Sequence, residues 1–452
     1  MDIPAGCEDD VNRAVASARS TLDQGGWSRA APSLRKAVLH RFADLIGEHA
    51  TELDRLDAEE MGKPVATSFG NATSAAAYVR FYAEALDKIT GEVLTSDNTS
   101  LSVLRRVPRG VVAAVIPWNF PTYNIAMKVG PALAAGNCLV LKPSELASRS
   151  ALRMAHLALE AGLPPGAFNV VPGTGERVGR ALALHRDVDM IAFTGSSEVG
   201  RLMLQYAGQS NMKTVMAECG GKSPHIVCAD GIGIAGLAES IAFFLLMNQG
   251  QLCTAGSRLL VHRDVEPQLL EQLKARFSEI IAGDALDSKT TFGPLATEQR
   301  CSAVMKYIES GLDEGAELVT GGTRLLQASG GYFVAPTVFR NVQPDAKIFR
   351  EEIFGPVLAV TTFRDTEEAI QLANATPYGL AAYAWTRDMA TGMRLSDGIH
   401  SAILINARAP TGEGPGHAGS NEPYGQSGMG IEGGMAGLGS YMRRQLLWFN
   451  HG

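Results

Sequence analysis

The chain lacks any apolar run approaching the ~20 residues that a membrane span needs, and no basic segment leads into an apolar one at its start. Glu8, Asp9 and Asp10 instead precede a helical pattern, so neither a secretory nor a transit signal is expected. Basic clusters are also missing. With a net charge of −7 and Lys and Arg dispersed, nucleic acid is excluded as an expected partner. Cysteine is sparse: Cys7, Cys138, Cys219, Cys228, Cys253 and Cys301 are scattered without paired spacing. That argues against a disulfide framework or a zinc site and for reduced thiols in a cytoplasm. No G-x-G-x-x-G occurs in the first 219 residues; Gly173-Thr174-Gly175-Glu176-Arg177-Val178-Gly179 misses that spacing by one residue.

What is present is an apolar content of 46% against 19% charged residues, the balance of a soluble globular protein. At 452 residues the chain is too long for one ordinary core, and two or three domains are expected. The first hundred residues predict helices, with Val11, Ala14, Val15, Ala18 and Leu22 on one face and Leu34, Val38, Phe42, Leu45 and Ile46 on another. Pro32-Ser33 is a start signal for the second.

Then the period changes. Strands are predicted over 111–116, 138–141, 168–171, 190–193 and 214–216, separated by helices over 123–135, 147–161, 176–184 and 198–207. Such alternation implies parallel βαβ units in an open, doubly wound sheet, whose ligands lie off the carboxyl ends of the strands. Pro117-Trp118-Asn119, Lys142-Pro143-Ser144-Glu145 and Thr194-Gly195-Ser196 all follow strands directly and should converge.

A second α/β region starts near a break at 219–221. It has predicted strands over 225–228, 259–262, 333–339, 357–363 and 403–406, with helices over 265–281 and 367–375. From Pro410 to Gly439 glycine dominates and predicts loop. The segments 99–107 and 446–449 fit neither region, and strands of that kind pair with something.

Cys253 lies among small and amide residues after an apolar run, Ala242 to Met247. A thiolate there attacks carbonyl carbon well. A lone cysteine in that setting is more often core, as is expected for the other five. Three further segments change the weighing: Pro117-Trp118-Asn119-Phe120-Pro121, Ala217-Glu218-Cys219-Gly220-Gly221-Lys222 and Glu351-Glu352-Ile353-Phe354-Gly355-Pro356. With Cys253 they stand in one order along the chain, and together the sequence resembles the aldehyde dehydrogenase superfamily from about Asp10 to the C-terminus.

The resemblance implies a doubly wound NAD-binding domain (1–95 and 109–219), a second αβ catalytic domain (220–432), and a small β oligomerisation arm (96–108 and 433–452) that bridges subunits of a homodimer or homotetramer. It implies Cys253 as nucleophile, with the Asn119 side-chain amide and the Cys253 N–H as oxyanion donors. Glu218 is the implied base that activates water, with Lys128 and Glu432 relaying protons near it. Gly195 and Ser196 open a helix whose free N–H groups suit a pyrophosphate. Lys142 and Glu145 match positions that hold the adenine ribose. Glu352 matches the one gripping the nicotinamide ribose, and Phe354 packs near the nicotinamide ring. Pro117, Trp118 and Ser144 complete the cofactor set. A carboxylate at Glu145 repels a 2′-phosphate, which favours NAD over NADP, although Lys142 partly offsets it. No metal is implied.

Three departures from the family pattern stand out. The N-terminal strands are missing. The glycine-rich motif near the C-terminus is shortened to Pro423-Tyr424-Gly425-Gln426-Ser427-Gly428. The loop between Asn406 and Pro423, containing Gly412-Glu413-Gly414-Pro415-Gly416-His417-Ala418-Gly419, is longer. Phe120, Asn124, Met127, Leu252, Thr254 and Tyr424 are the expected lining of the aldehyde tunnel. The reading is a hydrolytic, NAD-dependent aldehyde dehydrogenase. Its rivals are a CoA-acylating semialdehyde dehydrogenase, which has no use for a water-activating Glu218, and a non-catalytic relative, which has no use for an intact Cys253, Glu218 and Asn119.

Overall fold

The computed structural model describes residues 3–409 and 416–452. Its first sheet has six strands. Val111–Val115 lies at the centre, flanked on one side by Cys138–Lys142 and Phe168–Val170 and on the other by Met190–Thr194 and Thr214–Glu218. These five strands are parallel. The chain leaves the central strand first one way and then the other. The crevice of a doubly wound sheet therefore opens where Val111–Val115 meets Met190–Thr194. Every residue of Val111–Val115 and Cys138–Lys142 is buried, as expected for parallel strands covered on both faces.

The sixth strand was not expected. Gly428–Met429 runs antiparallel along Thr214–Glu218, placing Gly428 opposite Glu218. Only glycine fits there: Gly428 has φ +133°, and a Cβ would sit 1.9 Å from the Ala217 carbonyl oxygen. The stretch 410–439 is thus not all loop. Besides this strand and Tyr424–Gly425, it ends in a helix, Gly434–Ser440, packed on the core through Leu438. Composition misleads here because tertiary contact, not propensity, holds these short elements. Residues 410–415 of the long loop lie outside the described residues.

The second sheet has seven strands, six of them parallel: Thr337–Arg340, Val357–Phe363, Arg258–His262, Pro224–Val227, Ala381–Trp385 and Ala402–Ile405, with Glu317–Thr320 antiparallel at one edge. The single strand expected over 333–339 is two. Pro336 has no N–H to give a ladder, so Phe333–Val334 pairs with Arg324–Leu325 and only Thr337–Arg340 enters the large sheet. The helix expected over 176–184 opens with a wide π-helical turn, Gly175–Gly179, before Arg180–Leu184.

The two segments that fitted neither region pair with each other. Ser100–Pro108 runs antiparallel to Met442–Asn450 in unbroken register from Ser100↔Asn450 to Pro108↔Met442, with Glu92–Val93 on its other edge. Val93, Leu446, Trp448 and Phe449 stand exposed on this small sheet. Among the described residues no helix is long and apolar enough to cross a membrane.

Candidate active site

One cleft of about 690 Å³ gathers the ends of both large sheets. Its wall includes Cys253, Glu218 and Asn119, the cofactor set Pro117, Trp118, Lys142, Ser144, Glu145, Gly195, Ser196, Glu352 and Phe354, and Phe120, Asn124, Met127, Leu252 and Thr254. Four motifs up to 237 positions apart in sequence, from Pro117 to Phe354, therefore meet in space.

The segment leading to Cys253 is a strained turn. Asn248 (φ 49°), Gln249 (φ 58°) and Gly250 (φ 73°) are consecutively left-handed. Outside glycine this conformation costs about 1 kcal/mol or more per residue, so the surroundings must hold it. Gly250 is obligatory, since a Cβ would lie 2.4 Å from the Gly355 oxygen. The amides supply the bonds: Asn248 Nδ2 donates to Asn119 O at 2.7 Å, Gln251 Nε2 to Asn248 O at 3.1 Å, and Asn119 Nδ2 to Gln251 O at 2.9 Å. The Asn119 amide is thereby fixed to the turn that presents Cys253, with one N–H spare. Gly221 completes the approach, because a Cβ there would lie 2.4 Å from the Cys253 carbonyl oxygen.

Burial pushes the Cys253 thiol up to about 12, and the charges of Glu352 and Glu218 add to this. Burial therefore favours the thiol over the thiolate at rest. Glu218, ending the Thr214–Glu218 strand, is buried, and its Oε1 has no hydrogen-bond partner. Burial raises its carboxyl well above the usual range; Glu432 raises it further and Lys128 opposes. Lys128 does not line the cleft. It is wholly buried behind it in an ion pair with Glu432, which does.

At the other end, Ser196 caps the helix Ser197–Gln209, its Oγ accepting from Val199 N–H at 3.3 Å. Buried Thr194 Oγ1, beside it in the wall, has no partner. Lys142 Nζ donates to Pro143 O at 2.8 Å and meets Glu145 at 3.2 Å. Glu352 accepts from Gly221 N–H at 3.2 Å; burial lifts its carboxyl to about 7 against the pull of that bond, Lys222 and Arg300. Phe354 (φ 54°) meets Trp118 edge-on at 5.6 Å. A helix N-terminus, an unpartnered hydroxyl and carboxylates at both ends of the crevice fit a dinucleotide: phosphate at Gly195–Ser196, ribose hydroxyls at Glu145 and Glu352.

Tyr424 is a correction. It lies outside the cleft, half exposed, against His400 at 4.8 Å, because its strand pairs with Tyr378–Gly379 and turns the ring outward. Asn124 does line the cleft, and its Nδ2 donates one of its two N–H groups to Phe120 O at 3.0 Å. Sequence reasoning missed Phe69, Tyr78, Tyr123 and Arg300 in the wall. Tyr123 carried a signal: it stands one helical turn before Met127, on the same face. Tyr78, in the helix Ala72–Ala85, carried none.

The profile of the aldehyde dehydrogenase family matches residues 1–447. The NADP/NAD-dependent aldehyde dehydrogenase PuuC of Escherichia coli is 44% identical over 88% of this chain and 80% of its own. Among solved structures, the aldehyde dehydrogenase KauB from Pseudomonas aeruginosa is 43% identical, with TM-score 0.97 over 100% of this chain and 90% of that one. An indole-3-acetaldehyde dehydrogenase in complex with NAD+ is 42% identical, at the same TM-score and coverage. With the cleft, its thiol and its buried carboxylate, these matches place the chain in the aldehyde dehydrogenase family.

Proposed function

We propose that this enzyme oxidises its aldehyde to the carboxylic acid by a covalent, hydrolytic route on Cys253. The observation that carries this reading is the unpartnered, buried Glu218 carboxyl in the same wall as Cys253 and Asn119. The Cys253 thiol gives its proton to water in the cleft, its sulfur bonds to the carbonyl carbon, and the C=O π bond opens to leave an oxyanion. The spare Asn119 N–H and the Cys253 backbone N–H are donors for that charge, each typically worth ~3 kcal/mol. NAD held by Gly195, Ser196, Glu145 and Glu352 would supply the two-electron acceptor for hydride from the thiohemiacetal carbon, which leaves a thioester on Cys253. Glu218 then takes a proton from water as its oxygen attacks the thioester carbon. The C–S bond breaks, the acid leaves, and Cys253 is restored. A carboxyl with a raised pKa suits this work near neutral pH.

The same reading assigns 1–95 with 109–219 to cofactor binding, 220–432 to catalysis and 96–108 with 433–452 to a subunit-bridging arm. Glu145 favours NAD over NADP. The test is NADH formation from NAD and aldehyde, with and without CoA. Turnover without CoA supports the hydrolytic route; turnover that requires CoA replaces it with acyl transfer to the thiol.

A further inference from the structure

The aldehyde end of the cleft has a chemical character of its own. Three elements bring aromatic rings to it. Phe69 precedes the helix Ala72–Ala85, Tyr78 lies within that helix, and Phe120 and Tyr123 flank the start of the helix Pro121–Ala134. They form one connected network. Phe69 meets Phe120 edge-on at 6.0 Å and Tyr123 at 6.0 Å, and Tyr123 meets Tyr78 at 5.8 Å. His417, from the C-terminal segment, closes on Tyr78 at 5.4 Å. Gly70 (φ +62°) makes the closeness possible, since a Cβ would stand 2.5 Å from Phe120 Cδ1. Rings arranged edge-to-face present both edges and faces to a planar guest, the geometry in which aromatic pairs gain beyond area.

An aromatic wall could also hold a cation, through ring faces. Two features oppose that here. The buried Lys63 ammonium, held by Gly70 O at 3.2 Å, lies 6.0 Å from the Phe120 ring centroid and already draws on its quadrupole. Glu432, an acid whose charge acts on Tyr78 and Tyr123, is committed to Lys128. Burial keeps the His417 imidazole neutral and holds the Tyr123 hydroxyl up at about 12, so neither contributes charge near neutral pH.

We infer that the substrates are uncharged aldehydes carrying an aromatic ring, seated between Phe120, Tyr123, Tyr78 and Phe69. This rests on the aldehyde-oxidising reading of the same cleft. The test compares kcat/KM of the full-length enzyme for phenylacetaldehyde, hexanal and 3-aminopropanal with NAD. Phenylacetaldehyde should lead both others by roughly tenfold, and Tyr123→Leu and Phe69→Leu should each narrow the lead, with melting temperature and NAD affinity checking the fold. Calorimetry of phenylacetate against hexanoate on Cys253→Ala reads the wall without turnover and should favour phenylacetate. A lead for hexanal or 3-aminopropanal overturns the substrate class and leaves the dehydrogenase standing. Binding of phenylacetate without turnover of any aldehyde upholds the aromatic seat and overturns the reaction. Neither turnover nor binding overturns both.

Discussion

Asp57 accepts both the backbone N–H of Thr122, at 3.2 Å, and its hydroxyl, at 3.0 Å, and so holds the first turn of the helix that carries Tyr123, Met127 and Lys128. Asp57 is fully buried, and burial raises its carboxyl from 3.8 to about 6 against the pull of Lys63 and Thr122. The folded state therefore holds this proton more tightly than the unfolded chain. Its contribution is complete below pH ~4 and lost as pH rises through about 6, a span worth about 3 kcal/mol. Compared with Asp57→Asn, the wild type should lose urea resistance between those pH values. A difference between the two that stays constant with pH would contradict the assignment.

Cys253→Ala should reduce aldehyde oxidation to background while NAD affinity, read by calorimetry, changes less than threefold. Residual turnover well above background would move the nucleophile elsewhere.

Glu218→Gln keeps the side chain's shape and removes the base. Steady-state turnover should fall by about 10² or more, with a burst of NADH equal to the sites present before a slow phase. Absence of the burst together with loss of turnover would mean that Glu218 serves acylation instead.

Glu432 and Lys128 act on Glu218 with opposite sign, Glu432 raising its carboxyl and Lys128 lowering it. Glu432→Gln should therefore move the rising limb of kcat against pH to lower pH, and Lys128→Met should move it to higher pH. Shifts of both variants in one direction would refute this electrostatic arrangement.

The exposed Trp448 and Phe449 lie on the strand paired with Ser100–Pro108. If this arm bridges subunits, Trp448→Glu should lower the mass seen by sedimentation to that of a smaller species, since a charge buried without a partner is costly. An unchanged mass would assign the arm another role.

Much of the first sheet was legible because fully buried parallel strands are written as short, continuous apolar runs. Val111–Val115, Cys138–Lys142 and Met190–Thr194 fall within a residue of expectation. Ala381–Trp385 escaped: three of its five residues are alanine, which has little strand preference, and it is a strand only because its neighbours are. That Cys253, Glu218, Asn119 and the residues expected to hold a cofactor share one cleft was legible because each sits in a motif at the end of an element. Tyr78 and Phe69 were not. Their place in the cleft comes from the packing of the helix Ala72–Ala85 on the helix Pro121–Ala134, a pairing that no local pattern records. Tyr424 misled because its neighbouring glycines look like the cleft motif, whereas its pairing with Gly379 decides where the ring goes.

The strand Gly428–Met429 also bears on the order in which the molecule comes together. It seals the free edge of Thr214–Glu218, and Cys219 N–H donates to Ser427 O at 2.8 Å, so the surroundings of Glu218 are finished by residues made some 210 positions later. Contacts this distant are slow to form, because the loop between them must close first. During synthesis the first sheet waits with an open edge until nearly the whole chain has left the ribosome. Glu218 therefore reaches its finished surroundings late, long after Asn119 and Cys253 have been made.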